Sequence, residues 1–493
     1  MTARMTDDED PQPVVRPTTG PDVRVMKFGG TSMGSGDRIL ASARLVLSAG
    51  GSPVVVVSAM AGVTNRLEAS LGEEVPPADP PAGAPAASGD PLSPLLDELE
   101  RRHLEAARTL LDAGPGREGL EHAIRRRLAE VGRDLRELRQ LPIDDPEHTA
   151  IEALHDQVRA AGEDLSVLLM TAALSSLGHR ARVVDARTLV RTDARAGGAI
   201  PDDEVTVARA RSRLLPLVSE GITPVVQGFV GATAEGRTTT LGRGGSDFTA
   251  AIIGAALEAP EVTIWTDVDG IFSADPNRVP GARVLPELGY EEAVELAYFG
   301  ARVIHPAAAK HAVGRRVALR IRNSFKPSHA GTLIRIDRRG TPGVAALALK
   351  PRVALLTVRS RPMFMAYGFL ARVFEVLTRH RVPVDLVATS HTSTSLTVDR
   401  DARLDRVMAE LDAFAEVELH AEMATVSAIG AGLLRVPGVT GEVFRALGDL
   451  PVRLISQATD TSLSFVVDES QGLDVVRRLH AALIDPPTPE DSP

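Results

Sequence analysis

Runs of apolar residues alternate along the chain with segments of helical periodicity. From Val23 to Val57 the order is strand, glycine turn, helix and second strand, and the run Pro53–Val57 is continuously apolar, as in a parallel strand covered on both faces. Strand-like runs recur at Ala181–Asp185, Thr223–Phe229 and Glu261–Asp267. This alternation predicts an α/β fold with a mostly parallel, doubly wound sheet, whose ligands bind beyond the carboxyl ends of the strands.

A compositional break interrupts this pattern and is followed by an amphipathic segment. Residues 75–91 are rich in Pro, Ala and Gly and predict a flexible loop, whereas residues 92–140 predict helix. Apolar residues at spacings of three and four form one helical face, which we expect to pack on the sheet domain. These residues are Leu120, Ile124, Leu128, Val131, Leu135 and Leu138.

The C-terminal part contains an internal repeat. The segment Gly368–Leu377 is echoed by Gly438–Leu447, and each copy is followed by strand-like runs, among them Ser395–Asp399 and Ser462–Asp468. We therefore predict two copies of a small β-α-β-β unit. Such units expose strands or helix starts for pairing, so we expect a homodimer or a higher homo-oligomer that assembles through them.

Composition and charge narrow the class of protein. A chain of 493 residues with 44% hydrophobic content supports several packed domains, and its net charge of −10 disfavours nucleic acid or an anionic membrane as a partner. The absence of cysteine excludes disulfides, thiolate metal sites and cysteine nucleophiles. No apolar run approaches the roughly 20 residues of a membrane span, and the start lacks the apolar core of a signal peptide. We expect a cytoplasmic enzyme for small molecules.

Three glycine-containing segments follow predicted strands and carry the candidate chemistry. They are Lys27–Gly34, Ser58–Asn65 and Thr238–Asp247, the last of which opens a helix. Glycines let backbone N–H groups approach an anion and the Lys27 ammonium neutralises it, so the first segment predicts a phosphate cradle. An ordinary tight turn into a helix is the alternative, and the Walker pattern is absent because the lysine precedes the glycines.

The third segment and an acidic loop extend this predicted site. Arg243 offers a planar fork for a carboxylate or a phosphate, and Asp247 lies at a helix start, where a plain helix cap is the alternative role. The loop Trp265–Pro276 could bind a metal, but its spacing does not match a calcium loop. We interpret it as a loop that contacts the ribose or another part of a nucleotide.

Six motifs, in order, resemble those of the aspartokinases of the amino-acid kinase family. They are KFGGTS at 27–32, SAMAGVTN at 58–65, GED at 162–164, GRTTTLGRGGSD at 236–247, WTDVDGIFSADP at 265–276 and ELAYFGARVIHP at 295–306. The resemblance runs from about residue 23 to residue 485. It implies a disordered start at 1–20, a three-layer αβα catalytic domain at 21–340, two α+β ACT regulatory modules of the βαββαβ type at 350–425 and 426–485, and a polar tail at 486–493.

The resemblance implies ATP-dependent phosphorylation of the β-carboxylate of L-aspartate to 4-phospho-L-aspartate, for lysine, threonine and methionine synthesis. A carboxylate is already a nucleophile, so the main task is to position two anions and offset their repulsion. On the family pattern Lys27 stabilises the transferring phosphoryl group, with help from the Gly29 and Gly30 amides, and Asp247 positions Lys27. Mg²⁺ is expected to bind mainly through the phosphates of ATP, with no metal site built from protein side chains.

The same resemblance assigns the binding residues. It places ATP at Lys27, Gly29, Gly30, Thr31, Ser32, Thr266, Asp267, Phe272, Arg278 and Arg302. It places L-aspartate at Thr64, Glu163, Phe229, Arg243 and Ser246, with Arg243 on the α-carboxylate and Glu163 on the ammonium. Without the motif, Glu163 would be taken for a surface residue of a helix at 150–175.

The ACT modules imply feedback inhibition by an amino-acid effector. The matching positions are Met363, Gly368, Phe369, Leu370, Asp385, Thr389 and Ser390, and for Phe369 and Leu370 a plain core role is the alternative. Three positions depart from the common pattern: Arg302 replaces a lysine, Phe272 a tyrosine and His391 a glutamate that is frequent in lysine-inhibited relatives. Which amino acid acts as the effector therefore stays open.

Two other functions compete with this one. One is another amino-acid or carboxylate kinase of the same fold, which the Glu163 and Arg243 pairing and the paired ACT modules disfavour. The other is a catalytically silent amino-acid sensor, which the intact Lys27, Arg243 and Asp247 disfavour.

Overall fold

The computed structural model describes residues 22–72, 90–141, 149–300, 317–336, 342–360, 367–401 and 403–485. The predicted disordered start at 1–20, nearly all of the predicted loop at 75–91 and the tail at 486–493 lie outside these ranges. Arg302 and Met363, two of the expected binding residues, also lie outside them.

A mostly parallel sheet forms the centre of the catalytic region. Its first strands in the chain are β1 (Val23–Phe28), β2 (Ser52–Val57), β3 (Ala181–Val184) and β4 (Thr223–Gln227); a separate hairpin consists of β5 (Val230–Ala232) and β6 (Thr238–Thr240); and the sheet continues with β7 (Glu261–Thr266), β8 (Glu287–Gly289), β9 (Ala318–Asn323) and β10 (Thr332–Arg335). The strand order is β3-β4-β2-β1-β7-β9-β10-β8, and among these described strands only β9 and β10 pair antiparallel. The predicted parallel sheet is confirmed, and β1 lies at its centre.

Helices cover both faces of this sheet. They are α1 (Gly36–Ser48), α2 (Val63–Ala69), α3 (Ser93–Leu110), α4 (Pro115–Leu138), α5 (Thr149–Ser176), α6 (Asp203–Ser219), α7 (Gly245–Ala256) and α8 (Tyr290–Phe299). Side chains alternate along β2, so Val55 and Val57 pack with α1 to α5 while Val54 and Val56 pack with α6 to α8. This arrangement is the expected three-layer αβα domain.

The amphipathic face predicted around residue 128 is the buried face of α4. Leu120, Ile124, Leu128, Val131 and Leu135 are buried and Leu138 is partly buried, all in the core cluster that contains one face of the central sheet. The prediction from the spacing of these leucines is confirmed, because only a helix places these positions on one side.

The regulatory region is one six-stranded antiparallel sheet. Its strands are β11 (Ala346–Ser360), β12 (Val384–Thr389), β13 (Ser393–Asp399), β14 (Ala415–Ile429), β15 (Leu454–Ser456) and β16 (Ser462–Asp468), in the order β12-β13-β11-β14-β16-β15. Its helices are α9 (Phe369–Arg379), α10 (Leu404–Asp412), α11 (Val439–Leu447) and α12 (Gly472–Leu483). Helices α9 and α11 are the repeated segments, and each starts after a glycine, Gly368 and Gly438, with φ of +83° and +87°. Only glycine adopts this backbone conformation without strain, which explains why both copies begin with it.

Two long strands hold the two regulatory units together. Residues 346–350 of β11 pair with 425–429 of β14, whereas 353–360 of β11 pair with 415–423. Leu347 packs with α11 and α12, while Leu356 packs with α9 and α10. The start of β11 therefore packs with the second unit, so that the first unit lies between two chain segments of the second. The boundaries given above for the ACT modules stay predictions.

The catalytic and regulatory regions share packed surface. Leu296 and Phe299 of α8 lie in the same core cluster as Ala346 and Leu355 of β11. No helix within the described ranges is both long enough and apolar enough to cross a membrane.

Candidate active site

The central strand β1 delivers a lysine to the edge of the sheet. Lys27 is 9% exposed, and its Nζ lies 2.6 Å from Oδ1 of Asp247, in the first turn of α7. The first turn of a helix favours a carboxylate, and the ion pair holds the ammonium at the carboxyl end of the sheet, where an open α/β sheet binds ligands. The N-cap of α7 is Gly244, so the alternative role of Asp247 as a plain helix cap is not needed here.

Helix α5 delivers a buried carboxylate to the same edge. Glu163 is 3% exposed; its Oε1 accepts a hydrogen bond from the Ala59 amide at 3.0 Å, and its Oε2 is buried without a hydrogen-bond partner among the described residues. Burial raises the pKa of Glu163 to about 8 from its ordinary value of 4.5, against the Ala59 hydrogen bond and the nearby charge of Lys27, which lower it. The interpretation of Glu163 as a surface residue is thus wrong, and an unpaired carboxylate oxygen faces the site.

A close helix contact makes this position of Glu163 possible. A Cβ on Gly162 would lie 2.6 Å from the Ala59 Cβ and 3.2 Å from Val63 Cγ1. Only glycine lets α5 come this close to the second glycine-containing segment. The GED motif therefore combines a packing residue with a site residue.

The turn after β4 and the start of α7 form another wall. Phe229 has a φ of +71°, which is unusual for a residue other than glycine, and its amide donates to Thr249 Oγ1 at 3.0 Å. A Cβ on Gly245 would lie 2.8 Å from Phe229 Cδ2, so the ring lies directly over the helix start. Backbone strain at a ligand site is a common feature of functional positions.

These residues line one cavity of about 480 Å³. Eight of the expected site residues lie on its wall: Lys27, Gly30, Thr64, Glu163, Phe229, Arg243, Ser246 and Asp247. Arg243 is exposed on the wall and has no ion-pair partner among the described residues. The cavity thus combines an unpaired carboxylate oxygen, an unpaired guanidinium and a paired ammonium, which suits a small zwitterion that carries a further anionic group.

Sequence reasoning missed a second arginine on this wall. Arg159 lines the cavity, and its guanidinium lies near Asp156 (3.3 Å) and Glu68 (3.7 Å). It lies one helical turn before Glu163 on α5, so the i, i+4 spacing was a signal that could have identified it. Asp156 is 1% exposed and accepts hydrogen bonds from Gly197 and from the amide and hydroxyl of Thr240, which fix the cavity wall.

The residue after Glu163 anchors the helix. Asp164 accepts two hydrogen bonds from Arg187, at 2.9 and 3.0 Å, one from Arg127 at 3.0 Å and one from Gln227 at 3.1 Å. Burial alone would raise the pKa of Asp164, but the two guanidinium groups outweigh it and lower this pKa below its ordinary value. The network fixes α5 against β4. It therefore also fixes the position of the Glu163 carboxylate in the cavity wall.

The first glycine segment only partly matches the expected phosphate cradle. Gly29 does not offer its amide to a ligand, because it donates to the Trp265 carbonyl at 2.9 Å. Ser32 is fully buried, and its hydroxyl bonds Ser324 Oγ at 2.8 Å. Gly30 lines the cavity, whereas Gly29, Thr31 and Ser32 do not. Their predicted ATP contacts stay predictions.

The residues expected to contact the nucleotide form a second group. We name residues 266–284 the nucleotide loop. Thr266 and Asp267 line neither this cavity nor the next and bond each other through Thr266 Oγ1 and Asp267 Oδ1 at 3.1 Å. Phe272 and Arg278 line another cavity of about 300 Å³, between the nucleotide loop and the regulatory region. The structure thus brings the aspartate residues together and separates them from these four.

The expected effector residues lie in the first regulatory unit. Phe369 packs edge-on against Phe414, 6.2 Å between ring centres, as its alternative core role predicts, but Leu370 is 42% exposed. Thr389 and Ser390 are exposed. Asp385 is already bonded on both oxygens, to Lys350 Nζ at 2.6 Å and to the hydroxyl of Tyr298 in α8 at 2.5 Å. An effector ammonium at Asp385 would have to displace Lys350.

Comparison with known proteins agrees with this geometry. Residues 22–323 match the model of the amino acid kinase family, and residues 426–483 match an ACT domain. The lysine-sensitive aspartokinase 3 of Escherichia coli K12 is 37% identical over 473 residues, which cover 94% of this chain and all of that protein.

Solved structures give the same result. The crystal structure of E. coli aspartokinase III with aspartate and ADP in the R-state has a TM-score of 0.78 at 35% identity, covering 94% of this chain and 99% of that one. The structure of the same enzyme with lysine and aspartate in the T-state has a TM-score of 0.75 at 35% identity, covering 94% and 100%. The chain therefore belongs to the aspartokinases of the amino acid kinase family.

Proposed function

We propose that the chain transfers the γ-phosphoryl group of ATP to the β-carboxylate of L-aspartate and releases 4-phospho-L-aspartate and ADP. The observation that carries this proposal is the buried Glu163 Oε2, which has no hydrogen-bond partner in the part of the chain that the structure describes and lines one cavity with Arg243 and Lys27. A buried carboxylate oxygen needs a donor, and the ammonium of an amino acid supplies one. The E. coli relative with aspartate and ADP bound supports the same substrate pair.

In this proposal the two ends of the amino acid are held by opposite charges. Glu163 accepts the ammonium, and Arg243 binds the α-carboxylate through its fork of N–H donors. Thr64, Ser246 and the Phe229 ring define the remaining wall. Because both charged ends are fixed, the β-carboxylate is left to point toward the third charge of the cavity, the Lys27 ammonium.

Lys27 then stabilises the transferring group. The β-carboxylate oxygen attacks the γ-phosphorus, a P–O bond to the new acyl phosphate forms, and the bond to the ADP oxygen breaks with its electron pair. The Lys27 ammonium lies where negative charge collects, and Asp247 holds it there without a large rearrangement. Because the β-carboxylate is already ionised, no proton has to be removed from the nucleophile, and the proposal assigns no residue as a general base.

We propose that ATP binds to the site as its complex with Mg²⁺. No cluster of three or more His, Cys, Asp or Glu side chains that could hold a metal occurs in the described ranges. Mg²⁺ keeps waters and phosphate oxygens as ligands, so the ion is carried by the substrate. Gly30, Thr266, Asp267, Phe272 and Arg278 remain the proposed contacts of the nucleotide, together with Gly29, Thr31, Ser32 and Arg302.

Regulation is proposed to act through the ACT modules. An end-product amino acid would bind at the first regulatory unit, and its differential affinity for two states would shift their populations. The lysine-bound T-state of the E. coli relative supports this proposal. Assembly as a homodimer or larger oligomer and a cytoplasmic location stay predictions.

The experiment that tests the function is the trapping of the acyl phosphate with hydroxylamine. ATP and L-aspartate should give aspartyl hydroxamate, whereas N-acetyl-L-aspartate, which lacks the ammonium, should give far less. Lys27→Ala should lower kcat about 100-fold to 1,000-fold, as for the loss of one donor to a transition-state oxyanion. Equal hydroxamate from the wild type and Lys27→Ala would contradict the mechanism.

A further inference from the structure

The nucleotide loop is anchored to the regulatory region by its middle. Ser273 is fully buried, and its carbonyl accepts the Leu347 amide of β11 at 2.7 Å. The Ser273 hydroxyl lies 2.9 Å from Nε2 of His480, on the C-terminal helix α12. His480 is 2% exposed, so this bond is shielded from water. The middle of the loop that follows β7 of the catalytic sheet thus makes a buried contact with α12.

The Ser273 hydroxyl has two partners in this buried contact. Its Oγ accepts the Arg283 amide at 3.0 Å, and a second hydrogen bond joins it to His480 Nε2. Which atom donates in this second bond depends on which ring nitrogen of His480 carries the proton. Burial lowers the pKa of His480, and the nearby Arg283 lowers it further against the opposing effect of Asp485, which agrees with a neutral ring.

Further contacts join the same two elements. Arg283 donates from Nη2 to the Ile484 carbonyl at 2.8 Å, and Arg477 of α12 donates from Nε to the Arg278 carbonyl at 3.0 Å. Ala274 and Val279 pack in one apolar cluster with Val476 and Leu479. Both ends of the stretch 273–283 are therefore held, and the proposed nucleotide contacts Phe272 and Arg278 lie next to or inside the anchored part.

We propose that His480 is a positioning residue for the nucleotide: through its hydrogen bond with the Ser273 hydroxyl it fixes the nucleotide loop in the form that binds ATP. The inference rests on the proposed function, because it assigns the loop to ATP. It adds a residue of the regulatory region to the determinants of ATP affinity. A displacement of α12 would move Ser273 directly, so the second regulatory unit and the nucleotide loop change position together.

The positioning role of His480 predicts that its loss changes the KM for MgATP but not the KM for L-aspartate. His480→Ala removes the buried hydrogen bond between Ser273 and the last helix, so we expect the KM for MgATP to rise about tenfold while the KM for L-aspartate stays within twofold. His480→Gln can place an amide oxygen near the same point and should restore most of the ATP affinity. Ser273→Ala should match His480→Ala, and the double variant should be no worse than either single variant.

Binding can be measured apart from catalysis. Trp265, the one tryptophan of the sequence, is the penultimate residue of β7, immediately before the nucleotide loop, and is 4% exposed, so its fluorescence should report ADP binding. His103→Ala is the matched control: His103 is fully buried in α3 and bonds the Leu99 carbonyl. It should lower stability without changing the ratio of the two KM values.

The outcomes separate this inference from the proposed function. Wild-type chain that binds ADP but forms no hydroxamate from L-aspartate would refute the proposed reaction alone. Equal ADP affinity of the wild type, His480→Ala and Ser273→Ala would refute the positioning role alone. A parallel rise of both KM values, or a His480→Gln variant as impaired as His480→Ala, would also refute it. A wild-type chain that does not bind ADP would overturn both.

Discussion

Glu163→Gln separates the stability of the protein from its binding of substrate. Glutamine has the shape of the protonated glutamate, and its Oε1 can still accept the Ala59 amide. The substitution therefore removes the option of a negative charge while leaving the packing of α5 in place. We expect it to stabilise the ligand-free protein and to impair the binding of L-aspartate.

The size of the stability effect follows from the pKa of Glu163. Its value of about 8 in the folded protein lies above the ordinary 4.5, so folding takes up a proton between these pH values. The stabilisation that comes from protonated Glu163 is complete below about pH 4.5 and is lost as the pH rises through 8. At 1.36 kcal/mol per pH unit, the loss reaches about 3 kcal/mol at pH 7, which is the upper value for the gain in Glu163→Gln.

Urea unfolding followed by Trp265 fluorescence measures this gain in the catalytic region. The difference in unfolding free energy between the variant and the wild type should grow by about 2 kcal/mol from pH 6 to pH 8. Glu152→Gln, at an exposed position of the same helix, is the matched control and should show no such growth. A difference that is constant between pH 6 and pH 8 would refute the reasoning on burial.

The same ionisation sets the binding of L-aspartate. An ammonium pairs with the ionised carboxylate, so the wild-type KM for aspartate should fall about tenfold from pH 6 to pH 7 and level off above pH 8. In Glu163→Gln this pH dependence should vanish, and the KM at pH 8 should rise roughly 10-fold to 100-fold, the usual loss for a charge-assisted bond. A variant with the wild-type KM and pH profile would show that Glu163 does not hold the ammonium.

Three further substitutions test the rest of the site. Arg243→Lys should raise the KM for aspartate about tenfold through loss of the bidentate fork, with Arg101→Lys on the surface as its control; an unchanged KM would place the α-carboxylate elsewhere. Gly162→Ala should destabilise the protein by about 1–3 kcal/mol in urea unfolding, because its Cβ would lie 2.6 Å from Ala59, while Gly119→Ala in open space should be neutral or stabilising; equal effects would refute the packing role. Tyr298→Phe should shift the effector concentration for half-inhibition about fivefold with unchanged kcat, in separate titrations of lysine and threonine, and unaltered inhibition would show that the contact with Asp385 carries no coupling.

Local sequence pattern was sufficient for the elements and for much of the aspartate side. The apolar run at Val54–Val57 predicts a strand that is buried on both faces, and the leucine spacing of α4 predicts which face of that helix is buried. Lys27 lies near the carboxyl end of β1, and parallel strands bring such positions to one edge, where the fold class predicts a ligand site. Arg243 and Asp247 follow the separate hairpin of β5 and β6, so the motif and not the fold class alone predicted that they line the same cavity.

Hydrogen bonds between segments far apart in the chain could not be predicted from the local sequence pattern. Gly29 and Ser32 belong to a motif that suggests phosphate binding, but the Gly29 amide bonds Trp265, and the Ser32 hydroxyl bonds Ser324, 292 positions along the chain. Asp385 suggests an ammonium ligand, yet Lys350 and Tyr298 already occupy it. Each hydrogen-bonding group has the chemistry that the motif requires, and only the folded chain decides which partner reaches it first.

The neighbours Glu163 and Asp164 show how the fold separates function from stability. In a helix consecutive side chains point about 100° apart, so one carboxylate faces the cavity and the next faces the sheet. Asp164 is bonded by two arginines and a glutamine, which anchors α5, while Glu163 keeps one oxygen unpaired at the expense of stability. The hydrogen bonds of Asp164, one residue further along the helix, hold the destabilising Glu163 carboxylate in a fixed position. Exchange of the two residues would therefore remove both the anchor and the site, although composition and charge would be unchanged.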